Sequence, residues 1–264
     1  MGMKWIAAAF VFLFAGAPAM AQDEVIGVRV REWFARMSGA IQADDGSGTS
    51  TRLDLASDLG LDDRNLTTEI QAYLGIPLLG RIYLGWWRAH DTGSETLDRT
   101  IEFEGFTYAA STQVDSEVTL DVAYLTYEFA FPTIPVADLV SIEFSVQAGL
   151  RGVRGEGSIA ESAGGNSGSD AGTVGFPTLG GHVTVQLFKL IRVEVEVVGL
   201  TFSYGDWHMN YWEVYGEVVA QPLPWIFAGV GYKLVNIHVE NDGNQRFLVD
   251  VGVAGVYITA GVRF

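Results

Sequence analysis

Chemistry in this chain of 264 residues is sought first at its four histidines. His90 precedes Asp91 and His208 follows Asp206 by two positions, so each offers an imidazole and a carboxylate that could together activate water. His182 and Thr184 share one face of an extended segment, a spacing that sets a hydroxyl beside an imidazole. No G-x-S-x-G elbow, H-E-x-x-H helix or phosphate loop accompanies them. No catalytic residue, metal ligand or cofactor is therefore assigned, and the expectation is a protein without enzymatic activity.

A larger set of charged residues is collected by alternation. Counted by parity along the segments below, Glu69, Asp121, Glu128, Glu143, Glu194, Glu196, Glu213 and Glu217 share a face with Arg81, Arg151, Arg192, Lys233 and Arg263. Charges enclosed together must be paired, hydrogen-bonded or wetted. Two readings stay open: a polar network that plugs an interior, or a water-filled path whose acidic excess favours cations.

The elements that must position these residues are strands. Ten segments alternate apolar and polar side chains with a period of two: 31–43, 66–76, 81–90, 118–129, 141–154, 178–188, 191–199, 211–221, 226–239 and 246–264. Their apolar faces are assigned outward, including Trp33, Ala35 and Met37 in the first. The fourth shifts phase between Val118, Leu120, Val122 and Leu125, Tyr127, Phe129, which suggests a β-bulge near Ala123. The last shifts between Val253 and Val256, beside two glycines that would permit another bulge.

Connections alternate in length. "PLLG", "PTIPVADLV", "FKLI" and "PLPW" are brief, whereas 44–65, 91–115 and 155–173 are long and polar. Leu53, Leu55, Leu59 and Leu61 in the first long connection could fold back over the rim. Residues 101–108 have strand character, and the glycine-rich "AESAGGNSGSDAG" reads as a linker. Trp33, Phe131 and Trp225 at one end, with Tyr204, Trp207 and Tyr211 at the other, are candidates for two aromatic girdles.

Composition narrows the class. Sixteen Lys and Arg stand against 32 Asp and Glu, a net charge of −16, which argues against a nucleic-acid partner. Residues 1–21, with Lys4, an apolar stretch and an Ala19-x-Ala21 exit, read as a secretory signal peptide, leaving 22–264 as one domain. There is no cysteine to staple an exported fold. Although 48% of residues are hydrophobic and the mean hydropathy is +0.21, no later run is long enough to span a bilayer as a helix. The expected fold class is all-β: a transmembrane antiparallel up-and-down barrel of about ten strands, with eight or twelve as alternatives.

The chain ends on "GVYITAGVRF", whose alternating pattern runs through Tyr257 to a terminal Phe264. In this it resembles the small outer-membrane β-barrel proteins of Gram-negative bacteria. The resemblance implies that Tyr257 and Phe264 belong to a signal read by the barrel-assembly machinery, that both termini are periplasmic, and that lipid and lipopolysaccharide surround the protein. It implies no single function, since such barrels include porin-like conduits, structural proteins, adhesins and enzymes. Compared with omptin proteases, the surroundings of His90 and His208 do not match the family's motifs. Compared with barrel lipid A deacylases, Thr184 replaces the serine and parity turns His182 inward. The expected function is structural, or a narrow cation-preferring conduit for ions and small solutes. The alternatives are a surface hydrolase and an adhesin or receptor using acidic loops, where Asp44, Asp45, Asp54, Asp58, Asp62 and Asp63 are candidates for divalent cations.

Overall fold

The computed structural model describes residues 26–43, 51–61, 64–76, 79–137, 139–188, 190–241 and 247–264. The expected leader, Asp44, Asp45, Asp62, Asp63 and residues 242–244 of the "NDGN" turn lie outside them. The strands are β1 (Ile26–Ala43), β2 (Leu53–Asp54), β3 (Arg64–Ile76), β4 (Gly80–Thr96), β5 (Ile101–Phe103), β6 (Phe106–Tyr108), β7 (Gln113–Ala130), β8 (Ile134–Ala137), β9 (Val140–Glu161), β10 (Ser167–Leu187), β11 (Ile191–Tyr204), β12 (Trp207–Leu223), β13 (Ile226–Asn241) and β14 (Phe247–Arg263).

Ten of them close an antiparallel barrel in the cyclic order β1, β3, β4, β7, β9, β10, β11, β12, β13, β14, with β14 pairing back onto β1. Closure leaves none of the ten as a free edge strand, although the upper part of β10, above Leu179, pairs with β9 alone. The seam runs from Gly27 opposite Arg263 to Ala43 opposite Phe247, and the Ile26 and Phe264 backbones bond each other at its lower end. The lower rim carries both ends of the described barrel and the turns after β3, β10 and β12. Tight turns lie on the upper rim too. The glycine-rich stretch is not a linker: β9 and β10 pair through it and turn only at 162–166.

Pairing across β7 and β14 is continuous, with no bulge at Ala123 or between Val253 and Val256. Both phase shifts have another cause. In the lower part of each strand, the apolar side chains face outward: Val28, Val30, Leu84, Trp86, Leu125, Leu150, Val195, Val230, Val256 and Ile258 are exposed in a belt around the barrel. Higher up the apolar side chains turn inward: Trp33, Met37, Trp87, Leu120, Val122, Val235, Ile237, Val251 and Val253 are buried. The strand has only two faces, and above the belt the outer one is polar, as the Arg88–Asp121 and Arg154–Glu156 pairs show. The phase shift therefore marks the upper edge of the belt. It also corrects the first segment, in which Trp33, Ala35 and Met37 point inward and Phe34 outward, and removes Trp33 and Tyr211 from the proposed girdles.

The upper interior is completed from the connections. β2 pairs with β1, and residues 51–61 form a strap whose Leu53, Leu55, Leu59 and Leu61 are each no more than 1% exposed. Burial of each contributes about 1.5–3 kcal/mol. The strap's turn is held by Asp54, whose carboxylate accepts from the Ser57 and Ala56 amides, bonds that hold its pKa below the ordinary range. Asp58 accepts from the Asp54 amide and pairs with Arg99 at 2.8 Å. A side chain at Gly93 would strike the Leu59 carbonyl, so glycine lets strap and β4 meet. β5 and β6 form a hairpin, turning at Glu104 and Gly105 with positive φ at both, and bring Ile101, Phe103 and Tyr108 into the same core.

Because the chain has no cysteine, single cysteines report each face cleanly. Asp121→Cys is expected to react rapidly with a charged maleimide and Val122→Cys only after unfolding. A bulge at Ala123 would reverse that order.

Candidate functional site

Below the apolar core the lumen is polar. Glycines on neighbouring strands make room for its rings: Tyr73, Tyr124, Tyr257 and Phe227 each lie across a glycine directly opposite in register, at Gly27, Gly85, Gly231 and Gly261. Those rings frame the charged groups. Lys233 is fully buried, with Nζ 2.8 Å from Glu69 and 2.9 Å from Glu213. Arg31 reaches Glu69 at 3.0 Å, and Tyr124 donates to the same carboxylate. Arg151 and the Tyr211 hydroxyl both reach Glu213. The Nε and Nη2 of Arg31 make no hydrogen bond, and its guanidinium lies over the Tyr215 and Tyr257 rings instead.

Nearer the lower rim, Arg29 joins Glu217 at 2.7 Å and Glu194 at 3.4 Å, Arg192 also pairs with Glu194, and the Tyr257 hydroxyl donates to Glu217. Glu128 gathers Arg81 at 2.9 Å, the Tyr83 hydroxyl, Gln147 and His182 Nδ1 at 3.0 Å. Glu143 lies 3.7 Å from Arg81. Glu196 accepts from Gln147 and Tyr215. A cavity of about 310 Å³ lies against this lower layer, with Thr133, Ser141, Gln186 and Arg263 toward the rim and Glu196, Tyr215 and Gln71 deeper. A second space of about 10 Å³ within the network has room for roughly one water.

Of the charged residues collected by parity, Asp121 is misplaced. With no bulge, it faces outward and forms a two-pronged pair with Arg88, Nε at 2.8 Å and Nη2 at 2.9 Å. Glu69, Glu128, Glu143, Glu194, Glu196, Glu213, Glu217, Arg81, Arg151, Arg192, Lys233 and Arg263 are in or against the lumen network. Arg29 and Arg31 join them; they were missed because assigning Trp33 outward carried their parity outward with it. Seven carboxylates then face seven permanent cations, so the acidic excess that would favour cations disappears.

The histidine pairs separate. His90 lies on the outer face, beside Thr119 and Glu117, while Asp91 points inward and accepts from Asn65 at 2.6 Å. Adjacent strand residues face opposite sides of the wall. His208 contacts Ser203 at 2.8 Å, and Asp206 is exposed in the turn before it. His182 bridges Glu128 and Glu194, with Thr184 at 3.4 Å. Tyr257 is buried in the network, while Phe264 is exposed at the lower rim. Among the described residues no cluster of His, Asp or Glu is arranged to hold a metal ion.

No family model matches the chain. No curated protein matches it either. Among solved structures, the outer membrane protease OmpT from Escherichia coli is similar over 93% of this chain and 98% of that chain, with a TM-score of 0.51 and 8% identity. Ail, the attachment invasion locus protein of Yersinia pestis, matches over 91% and 99% with a TM-score of 0.34 and 11% identity. The toluene transporter TodX of P. putida matches over 92% and 91% with a TM-score of 0.27 and 9% identity. The chain thus has the fold of the outer-membrane β-barrels, and the likeness to OmpT extends to fold alone.

Lys233→Met would leave Glu69 and Glu213 buried without their shared cation, an expected loss of about 3–5 kcal/mol in urea unfolding of the refolded protein. Adding Glu213→Gln to that variant should recover part of the loss, giving a coupling measurable by a double-mutant cycle.

Proposed function

We propose that this is an integral outer-membrane protein with a shut lumen, structural rather than conducting and without enzymatic activity, its termini in the periplasm. The observation that carries the reading is the double seal: an apolar upper interior closed by the leucine strap, above a charge-balanced network whose inner space is about 10 Å³. A continuous aqueous path needs polar lining along its whole length, and the upper half offers Trp33, Trp87, Val122 and Val235 instead. The outward belt suits lipid hydrocarbon, and the polar outer face above it suits the headgroups of lipopolysaccharide. Phe264, exposed at the lower rim, is available to the barrel-assembly machinery. Divalent cations at the acidic connection would fall to Asp44, Asp45, Asp62 and Asp63, since Asp54 and Asp58 are engaged in the strap's own turn and ion pair.

Refolded protein in planar bilayers under a salt gradient is expected to show no discrete conductance steps. Cation-preferring steps weakened by Glu194→Gln and Glu196→Gln would replace this reading with the narrow conduit. Leu55→Ala should lower stability by about 2–5 kcal/mol without opening a channel, because the network below the strap is itself closed.

A further inference from the structure

β10 is paired along its whole length on one side and along only part of it on the other. Its ladder with β9 runs from Ser167 to Leu187, whereas its ladder with β11 covers only Leu179 to Leu187. Across the gap β11 continues through 200–204, paired there with β12 alone. The Asn166 carbonyl accepts from Glu161, and the Leu187 carbonyl accepts from Leu190. With no register shift against β9, even-numbered residues of β10 turn their backbone groups to β9 and odd-numbered ones to the gap. Ser169, Thr173 and Gly175 present N–H and C=O groups there, with no described backbone opposite. The Ala171 amide is taken by the Asp170 carboxylate, and Pro177 has no N–H to offer.

The gap opens directly above the lipid belt, since Pro177 is paired with Leu150, an exposed member of that belt. Its inner side is closed by Phe176 and Tyr211, whose rings meet at 5.1 Å. Phe202 has the inward parity of Glu194 and Val198 yet is 38% exposed, because the β10 ladder beside it has ended. The edge is braced from within: Tyr108 donates to the Ile159 carbonyl, and Asn166 donates to the Thr107 carbonyl. An edge fixed in advance spares an incoming strand the cost of ordering it. No lysine or arginine lies in 167–178 to repel such a strand.

Charge selects the occupant. Above the belt, the described charges of the β9–β10 hairpin and the β11–β12 turn are Glu156, Glu161, Asp170 and Asp206 against Arg154. A second copy of this chain would bring the same acids to the same edge, and like charges facing one another oppose that pairing. A basic strand meets the opposite condition. Glu156 is exposed on the outer face of β9 opposite the small Ala171, within reach of a cation on a strand laid along β10.

We propose that the free edge of β10 over 167–175 is a docking site for an extended cationic peptide, which adds to the sheet as a strand. Its alternate side chains face Phe202 and Phe176 on the inner side and Glu156 on the outer side. The edge spans about 27 Å, the reach of eight or nine extended residues. The site lies outside the lumen and does not depend on whether the lumen conducts.

The test is fluorescence anisotropy of a labelled, end-capped peptide of four Lys-Val repeats, titrated with the refolded protein in zwitterionic detergent and, as a blank, with empty micelles. Thr173→Pro removes one edge N–H and leaves the β9 ladder untouched, since Thr173 turns its backbone groups to the gap. Saturable binding is expected, weakened about tenfold or more by Thr173→Pro and by N-methylation of alternate peptide amides, with no binding of four Glu-Val repeats. No binding above the blank, equal binding by Thr173→Pro, or equal binding of the acidic peptide would overturn the proposal. So would wild-type dimers that Thr173→Pro abolishes, which would give the edge to a second copy. Should Thr173→Pro fail to fold, the N-methylated peptide against wild type decides: lost binding supports strand addition, and retained binding reduces the contact to charge alone and rejects it.

Discussion

The ammonium of Lys233 is held by Glu69 and Glu213 on one side and faces the rings of Trp33 and Trp87, at 5.4 and 5.6 Å, on the other. Those two tryptophans meet edge to face at 5.6 Å. A polar interior and a dry one ordinarily cannot share a boundary, since a charge against hydrocarbon is costly and an apolar ring against an ion network leaves hydrogen bonds unmade. A cation with carboxylates below and π-faces above satisfies both at once. The layered interior depends on this junction: below it every strand contributes polar residues inward, and above it the same strands contribute Val, Leu and Met.

The outside obeys the complementary rule, and this explains what could be read in the residues. Strand number, strand positions and the barrel class follow from period-two alternation and turn chemistry, which are local. Which face is inward is not local. In 118–129 the alternation is unbroken in backbone terms, yet the apolar parity changes because the surroundings of the outer face change with height. A bulge was the simplest local account of that change, and it carried Asp121 to the wrong side of the wall. In 31–43 the same assumption turned Trp33 outward and concealed Arg29 and Arg31.

The remaining site residues were legible because they lie in the lower part of the barrel, where apolar-out and polar-in prevails, with Phe227 and Val219 as inward exceptions. Glu194, Glu196, Glu213 and Glu217 sit on β11 and β12 in plain alternation with Val195, Val197, Val214 and Val218. Their partners were not legible. Arg29 meets Glu194 across 165 positions of sequence, a contact that only closure of the ring creates. Burial of the strap leucines was foreseeable from their spacing, but their destination inside the barrel depended on the upper interior being apolar, which the parity argument had assigned to the outside.

The strap follows β1, the first strand, yet the core it enters is walled in part by Val235, Ile237, Val251 and Val253 of β13 and β14, the last two. Its leucines therefore have no finished place to go until the far end of the chain has arrived. During that interval a nascent ring presents Leu53, Leu55, Leu59 and Leu61 as sticky, unclaimed surface early in the polypeptide, in addition to the belt that awaits lipid. Sealing is the closing act of maturation for such a molecule, and whatever escorts the chain must shield its beginning until its end is in hand.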